Sequence, residues 1–300
     1  MTEPSVDRPS VDRIAVEEGV ELNCLDWRPK RSDDDSAATP VLLVHGLASN
    51  ARLWDGVARR LAGEGHHVVA VDQRGHGRSS KPGSGFDFAT LTNDLSVVID
   101  HYGWNAEAPP LAAGQSWGAN VVLELAARHP NAVSGIVLVD GGTRDLSDSF
   151  ADWPTCQAAL APPMLEGMPL KRFESMIRAS HPDWPDEGID ATLSNMQVLA
   201  DGTIRPWLSR ESHMTILRQL WEHHPSKRFE GIQVPVLMIP ADDPSNNRWA
   251  AGKRDSIKRA AESLPRSVTR WLAGDHDLHA QQPGTVAELI DSATRPGFFP

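Results

Sequence analysis

The chain has 300 residues and a formal net charge of −11, enough length for one large α/β domain or two small ones. That charge argues against nucleic acid and against an anionic membrane surface as partners, since both select clusters of Lys and Arg. Two cysteines, Cys24 and Cys156, are too few for a disulfide framework and are expected to be free, buried thiols.

No apolar stretch approaches the length of a membrane span. Residues 1–10 lack the basic-then-apolar pattern of an export signal and are expected to be a disordered tail, so a cytoplasmic protein is expected. Val16 to Trp27 alternates as a strand or hairpin, and Lys30 to Thr39 is a polar, acidic loop. Val41-Leu-Leu-Val44 is a continuous aliphatic run, as suits a strand buried on both faces. A helix is expected over Arg52–Ala62, a strand over His67–Asp72 and a helix over Phe88–Tyr102.

Leu111-Ala-Ala-Gly-Gln-Ser-Trp-Gly-Ala-Asn120 reads as a buried strand turning sharply into a helix that ends before Pro130. Such a turn forces Ser116 into a strained backbone conformation and lifts its hydroxyl clear of the sheet, and the flanking glycines let strand and helix pass closely. Gly135 to Asp140 is the next strand. Alternating strands and helices predict a doubly wound, mostly parallel sheet with right-handed crossovers.

The rhythm breaks after Gly142. From about Thr143 to Gly231 the chain shows helical pieces broken by prolines and no strand-like apolar run. Trp153, Trp184, Trp207 and Trp221 lie here with Met164, Met168 and Met214. They either roof a hydrophobic pocket or hold the insert together. The sheet resumes over Val234–Ile239, followed by a helix over Arg254–Leu264, a strand over Ser267–Leu272 and a helix over Thr285–Ala293. The expected division is a core of residues 11–142 and 231–300 with a helical insert of 143–230.

Four motifs in this order resemble the α/β-hydrolase fold superfamily, of the serine-nucleophile type with a helical cap, across nearly the whole chain. They are His45-Gly46-Leu47, Asp72-Gln-Arg-Gly-His-Gly-Arg-Ser79, Gly114-Gln-Ser-Trp-Gly118, and Gly274-Asp-His-Asp-Leu-His-Ala-Gln-Gln-Pro283. The resemblance implies Ser116 as nucleophile, with the backbone N–H groups of Leu47 and Trp117 as an oxyanion hole. Trp117 also opens a helix, where free donors and the helix dipole favour negative charge.

A neutral Ser hydroxyl needs an adjacent base. Of twelve histidines, His276 follows the last strand at the carboxyl edge of the sheet and has the family's spacing to Pro283. The family places its acid after either the sixth or the seventh strand. Asp140 ends the sixth and is preferred; Asp243, one residue off the usual place after the seventh, is the alternative. His279 is read as a loop or helix-start residue, with no metal site, and no cofactor is implied. His45 is read as a structural buttress and Arg74 as a bridge between loops, in preference to an anion site with His76 and Arg78.

A serine at the elbow disfavours the epoxide hydrolases and haloalkane dehalogenases that the superfamily also contains, which need Asp there. The expected activity is hydrolysis of a small or medium apolar carboxylic ester or lactone through an acyl-enzyme. The alternatives are a carbon–carbon bond hydrolase of ring-cleavage products, or a non-catalytic small-molecule receptor on the same fold. Oligomeric state is left open, as monomer or homodimer.

Overall fold

The computed structural model describes residues 8–29, 39–104, 107–243 and 247–300. The expected tail over residues 1–7, and the acidic loop over 30–38, lie outside the described residues. Eight strands form one sheet: β1 (Ser10–Glu17), β2 (Val20–Trp27), β3 (Val41–Val44), β4 (Val68–Asp72), β5 (Leu111–Gln115), β6 (Gly135–Val139), β7 (Val236–Ile239) and β8 (Ser267–Thr269). Their spatial order is β1-β2-β4-β3-β5-β6-β7-β8. Pairing is antiparallel from β1 to β4 and parallel from β4 to β8. Ser10, expected in the tail, instead opens β1 by pairing with Asp26.

Helices cover both faces. On one side lie α1 (Asp55–Gly63) and α10 (Pro283–Thr294), whose Val57, Leu61, Val286 and Ile290 pack on Val41 and Leu43. On the other lie α2 (Phe88–His101), α3 (Trp117–Arg128) and α8 (Asn247–Ser263), whose Leu95, Val121 and Ile257 pack with Leu42 and Val44. Successive β3 side chains therefore point into different cores, which is why that run contains no polar position. α8 begins well before the expected Arg254.

Between β6 and β7 the chain makes α4 (Trp153–Leu160), α5 (Leu170–Ser180), α6 (Asp186–Leu193) and α7 (Arg210–Glu222). Side-chain caps start two of them: Asp152 accepts from the Thr155 N–H and Ser209 from the Ser212 N–H. The insert is not all helical. Met196–Val198 and Ile204–Pro206 pair as an antiparallel hairpin, corrected from the strand-free expectation; three-residue strands are too short to leave an alternating signal. The expected last strand is also divided. Ser267–Thr269 pairs with β7, whereas Leu272–Ala273 pairs in parallel with Ala241–Asp242 beyond the sheet.

Register places the site. Val44 aligns with Gly114, Gln115 with Val139, and Val139 with Ile239. The residues that follow these partners therefore emerge together at the carboxyl edge of the sheet, where open α/β folds bind ligands. Cys24 and Cys156 are buried and unpaired. Among the described residues, no helix is long and apolar enough to cross a membrane.

Candidate active site

Ser116 stands between β5 and α3 with φ 52° and ψ −117°, a conformation costly for a residue with a Cβ. Its N–H is held by the Val139 carbonyl at 2.9 Å. The turn tolerates no bulk around it. A Cβ on Gly114 would meet the Gly118 carbonyl oxygen at 2.2 Å, and one on Gly118 would meet the Val44 oxygen at 2.4 Å. Trp117 is the first residue of α3, so its N–H has no acceptor within the helix. Leu47 follows β3, which pairs directly with β5, and both residues line the same cavity as Ser116.

His276 lines that cavity, with 56% of its side chain open. Its Nδ1 bonds Oδ2 of Asp140 at 2.6 Å. Asp140 is 4% exposed, and its Oδ1 accepts from the Ala241 N–H at 2.9 Å and from Lys253 at 2.7 Å. Burial alone would raise the Asp140 pKa, but the bond and charge of His276, followed by those of Lys253, hold it below the usual carboxylate range. Burial likewise works to lower His276, and the bond and charge of Asp140 outweigh it, leaving the imidazole above the ordinary histidine value. Asp243, the alternative acid, lines the cavity, but the carboxylate on Nδ1 belongs to Asp140.

Three non-glycine residues have positive φ among the described residues: Ala48, Ser116 and Asp140. All three sit at this edge, one beside Leu47, one at the elbow and one at the end of β6. Strain concentrated in this way is a mark of a functional site.

The supporting residues explain how the edge is held. His45 Nε2 accepts from the Gln73 N–H at 3.0 Å and its Nδ1 lies 2.7 Å from the Gly46 carbonyl oxygen. That pattern fixes a neutral ring in a buttressing position. His76 stacks on Trp117, and its Nε2 accepts from the Ala48 N–H at 3.3 Å. Arg74 is 1% exposed and bonds both oxygens of Asp94 at 2.6 and 2.7 Å; it bridges elements and is closed to an anion. Sequence reasoning missed Gln115 and Lys253. Gln115 Nε2 donates to the His276 carbonyl at 3.0 Å, tying the elbow to the histidine loop. Its place inside the elbow motif was the available signal, whereas Lys253 left none.

His279 is buried against Trp54, its ring nitrogens are without partners, and burial pushes its pKa down to about 3. No group of side chains that could hold a metal occurs among the described residues. The cavity measures about 500 Å³. Leu138, Leu146, Leu217, Leu220 and Ile257 supply apolar wall, with Asn120, Arg144, His213 and Lys253 as polar points.

The tryptophans and methionines of the insert are not part of that lining. Trp207 covers the Arg78 guanidinium at 4.5 Å, Trp153 and Trp221 flank Arg218, and Trp184 Nε1 donates to Asp275 at 2.8 Å. These tryptophans secure the insert to itself and to the core. Leu160 of α4 and His213 of α7 line the cavity instead.

Comparison with known proteins agrees with this architecture. A family model described as the alpha/beta hydrolase fold matches residues 39–195. The chain is 27% identical over 250 residues to 2-(acetamidomethylene)succinate hydrolase of Mesorhizobium japonicum, covering 83% of this chain and 86% of the relative. It is 27% identical over 281 residues to a haloalkane dehalogenase of Psychrobacter cryohalolentis, covering 90% and 86%. The crystal structure of E-2-(acetamidomethylene)succinate hydrolase superposes with a TM-score of 0.72 at 23% identity, covering 94% of this chain and 97% of that one. Sheet order, edge loops and family match agree, and the chain belongs to the α/β-hydrolase fold family.

Proposed function

We propose that the protein is a serine hydrolase that cleaves a small or medium carboxylic ester or lactone through an acyl-enzyme. The observation that carries this reading is the pairing of His276 Nδ1 with buried Asp140, on a ring that shares its cavity with the strained Ser116. Asp140 holds the ring in the tautomer that leaves Nε2 as base. Ser116 Oγ attacks the substrate carbonyl while its proton passes to His276. The negative oxygen that forms faces the N–H groups of Leu47 and Trp117, each worth about 3 kcal/mol in the transition state. As the intermediate collapses, the leaving alkoxide takes the proton from His276. Water, deprotonated by the same ring, then releases the acid and restores Ser116.

The apolar wall and volume suit an uncharged acyl or alkyl group of modest size. A panel of p-nitrophenyl esters and lactones, run with wild type and Ser116→Ala, tests the reading. A pre-steady-state burst with wild type and none with the variant is expected; identical traces from both proteins would refute it.

A second reading is hydrolysis of an amide-bearing carboxylic acid. It is favoured by the extended match to the relative named for 2-(acetamidomethylene)succinate and by Arg144 in the wall. Ser116-dependent release of acetate from acetamido-substituted diacids, with no turnover of neutral esters, would select it.

A further inference from the structure

Lys253 stands on α8 and reaches across to the end of β6. Its ammonium donates to Asp140 Oδ1 at 2.7 Å and to the Ala241 carbonyl at 3.0 Å. The Ala241 N–H donates to the same Oδ1 at 2.9 Å. One oxygen of the carboxylate is therefore occupied twice, and the other is turned to His276. The terminal torsion of an aspartate is soft, so a carboxylate held only by an imidazole can rotate away from it. The Lys253 side chain is 24% exposed, and the residue lines the cavity. Its cost of desolvation needs a compensating partner, and Asp140 provides it.

We propose that Lys253 is a positioning residue of the Ser116 site: by clamping Oδ1 of Asp140 against the Ala241 peptide it presents Oδ2 to His276 and tempers the negative charge that imidazole feels. The inference rests on the serine-hydrolase reading. Other charged groups face the pair. Asp277 adjoins His276 on its own loop, His279 lies at the start of α9 (Leu278–Gln281), and Arg144 and Asp243 stand on the cavity wall. Asp277 reinforces the proton on His276, whereas the Lys253 charge opposes it. Arg144 acts on Asp140 through its charge. Lys253 adds to its charge a direct bond to the carboxylate.

The sign follows. The base must be neutral to take the Ser116 proton. With the Ala241 N–H still holding Oδ1, loss of the ammonium charge lets Asp140 stabilise the imidazolium more strongly, and Ser116 becomes reactive only at higher pH. The test needs no knowledge of the substrate. The second-order rate of Ser116 labelling by a fluorophosphonate probe is followed against pH for wild type, Lys253→Met, Lys253→Gln and Lys253→Arg, with Tm recorded for each.

The Met and Gln variants should move the acid limb up by about one pH unit, slowing labelling about tenfold on the slope. The Arg variant should return the limb to its wild-type place. If Met and Gln lower Tm or the alkaline plateau while the limb stays put, Lys253 merely anchors α8 and the proposal is overturned. Should Met fail to fold, Gln retains hydrogen bonding without charge and decides the same question. A wild type that never labels overturns the serine-hydrolase reading together with this one, a result distinct from an unmoved limb.

Discussion

Two buried carboxylates, Glu124 inside α3 and Asp140 at the end of β6, carry similar partners in different surroundings. Glu124 lies in the interior of that helix with no exposure. It accepts from Arg228 at 2.6 Å, Arg128 at 2.7 Å and His223 at 2.9 Å. Asp140, beyond the helix N-terminus, is held by His276, Lys253 and a backbone N–H. At both, burial opposes the charge and hydrogen-bonded partners win; Glu124 is brought to about 2 and Asp140 also lies below the ordinary range. What differs is backbone and access. Glu124 has an unstrained helical backbone and no place in the cavity wall. Asp140 has φ 43°, lines the cavity, and bonds an imidazole that is open to it. A depressed pKa therefore does not separate the two; backbone strain beside a cavity does.

That contrast can be broken by mutation. Ser116→Ala should abolish fluorophosphonate labelling and lower any hydrolytic rate by about 10⁴-fold or more, leaving the melting transition in place. Asp140→Asn should cost about 10⁴-fold in turnover with little loss of fold, because the amide favours the wrong tautomer of His276. Under the same assay Asp243→Asn should stay close to wild type. Equal losses from both would erase the distinction drawn at the sheet edge.

Glu124→Gln should do the reverse. It leaves Arg128, Arg228 and His223 facing a neutral amide and should cost about 3 kcal/mol in denaturant unfolding, with labelling per folded molecule unchanged. Glu124 stabilises the wild type fully above the ordinary glutamate pKa, and that contribution disappears as pH falls toward about 2. The denaturant-unfolding free energy of wild type should therefore fall more steeply between about pH 4.5 and about pH 2 than that of the variant.

The His276 titration supplies a gentler test. Because its pKa is raised, the acid limb of wild-type labelling should have its midpoint above about 6.5. A midpoint below that value would mean that burial outweighs Asp140. The smallest effect is expected at His213, a ring kept neutral by burial, then by Arg210, which together push it to about 4. His213→Phe should leave labelling nearly unchanged while altering the preference between polar and apolar acyl groups by about tenfold.

Much of the edge was legible because its physics is local. The elbow needs small residues two places before and after the nucleophile, so Gly114, Ser116 and Gly118 announce it within five residues. The free N–H of Trp117 follows from its being first in a helix. The insert was harder to read. Its tryptophans have the composition of a pocket roof, yet they stack on Arg78 and Arg218 or bond Asp275. An aromatic ring carries no mark of which cation it will meet. Lys253 was invisible for the same reason: a lysine on a polar helix looks solvated until a carboxylate from a distant strand arrives beside it.

The order of strands and helices, the strained serine and the histidine loop were determined by residues adjacent in the chain, since patterning and turn chemistry act over a few positions. Which carboxylate meets His276, the contact of Lys253 with Asp140 and the makeup of the cavity wall were decided only by tertiary structure. Asp140 and His276 are 136 residues apart. They meet because strand register and the short pairing of Ala241–Asp242 with Leu272–Ala273 bring separate strand ends to one edge, and such register is a property of the assembled sheet.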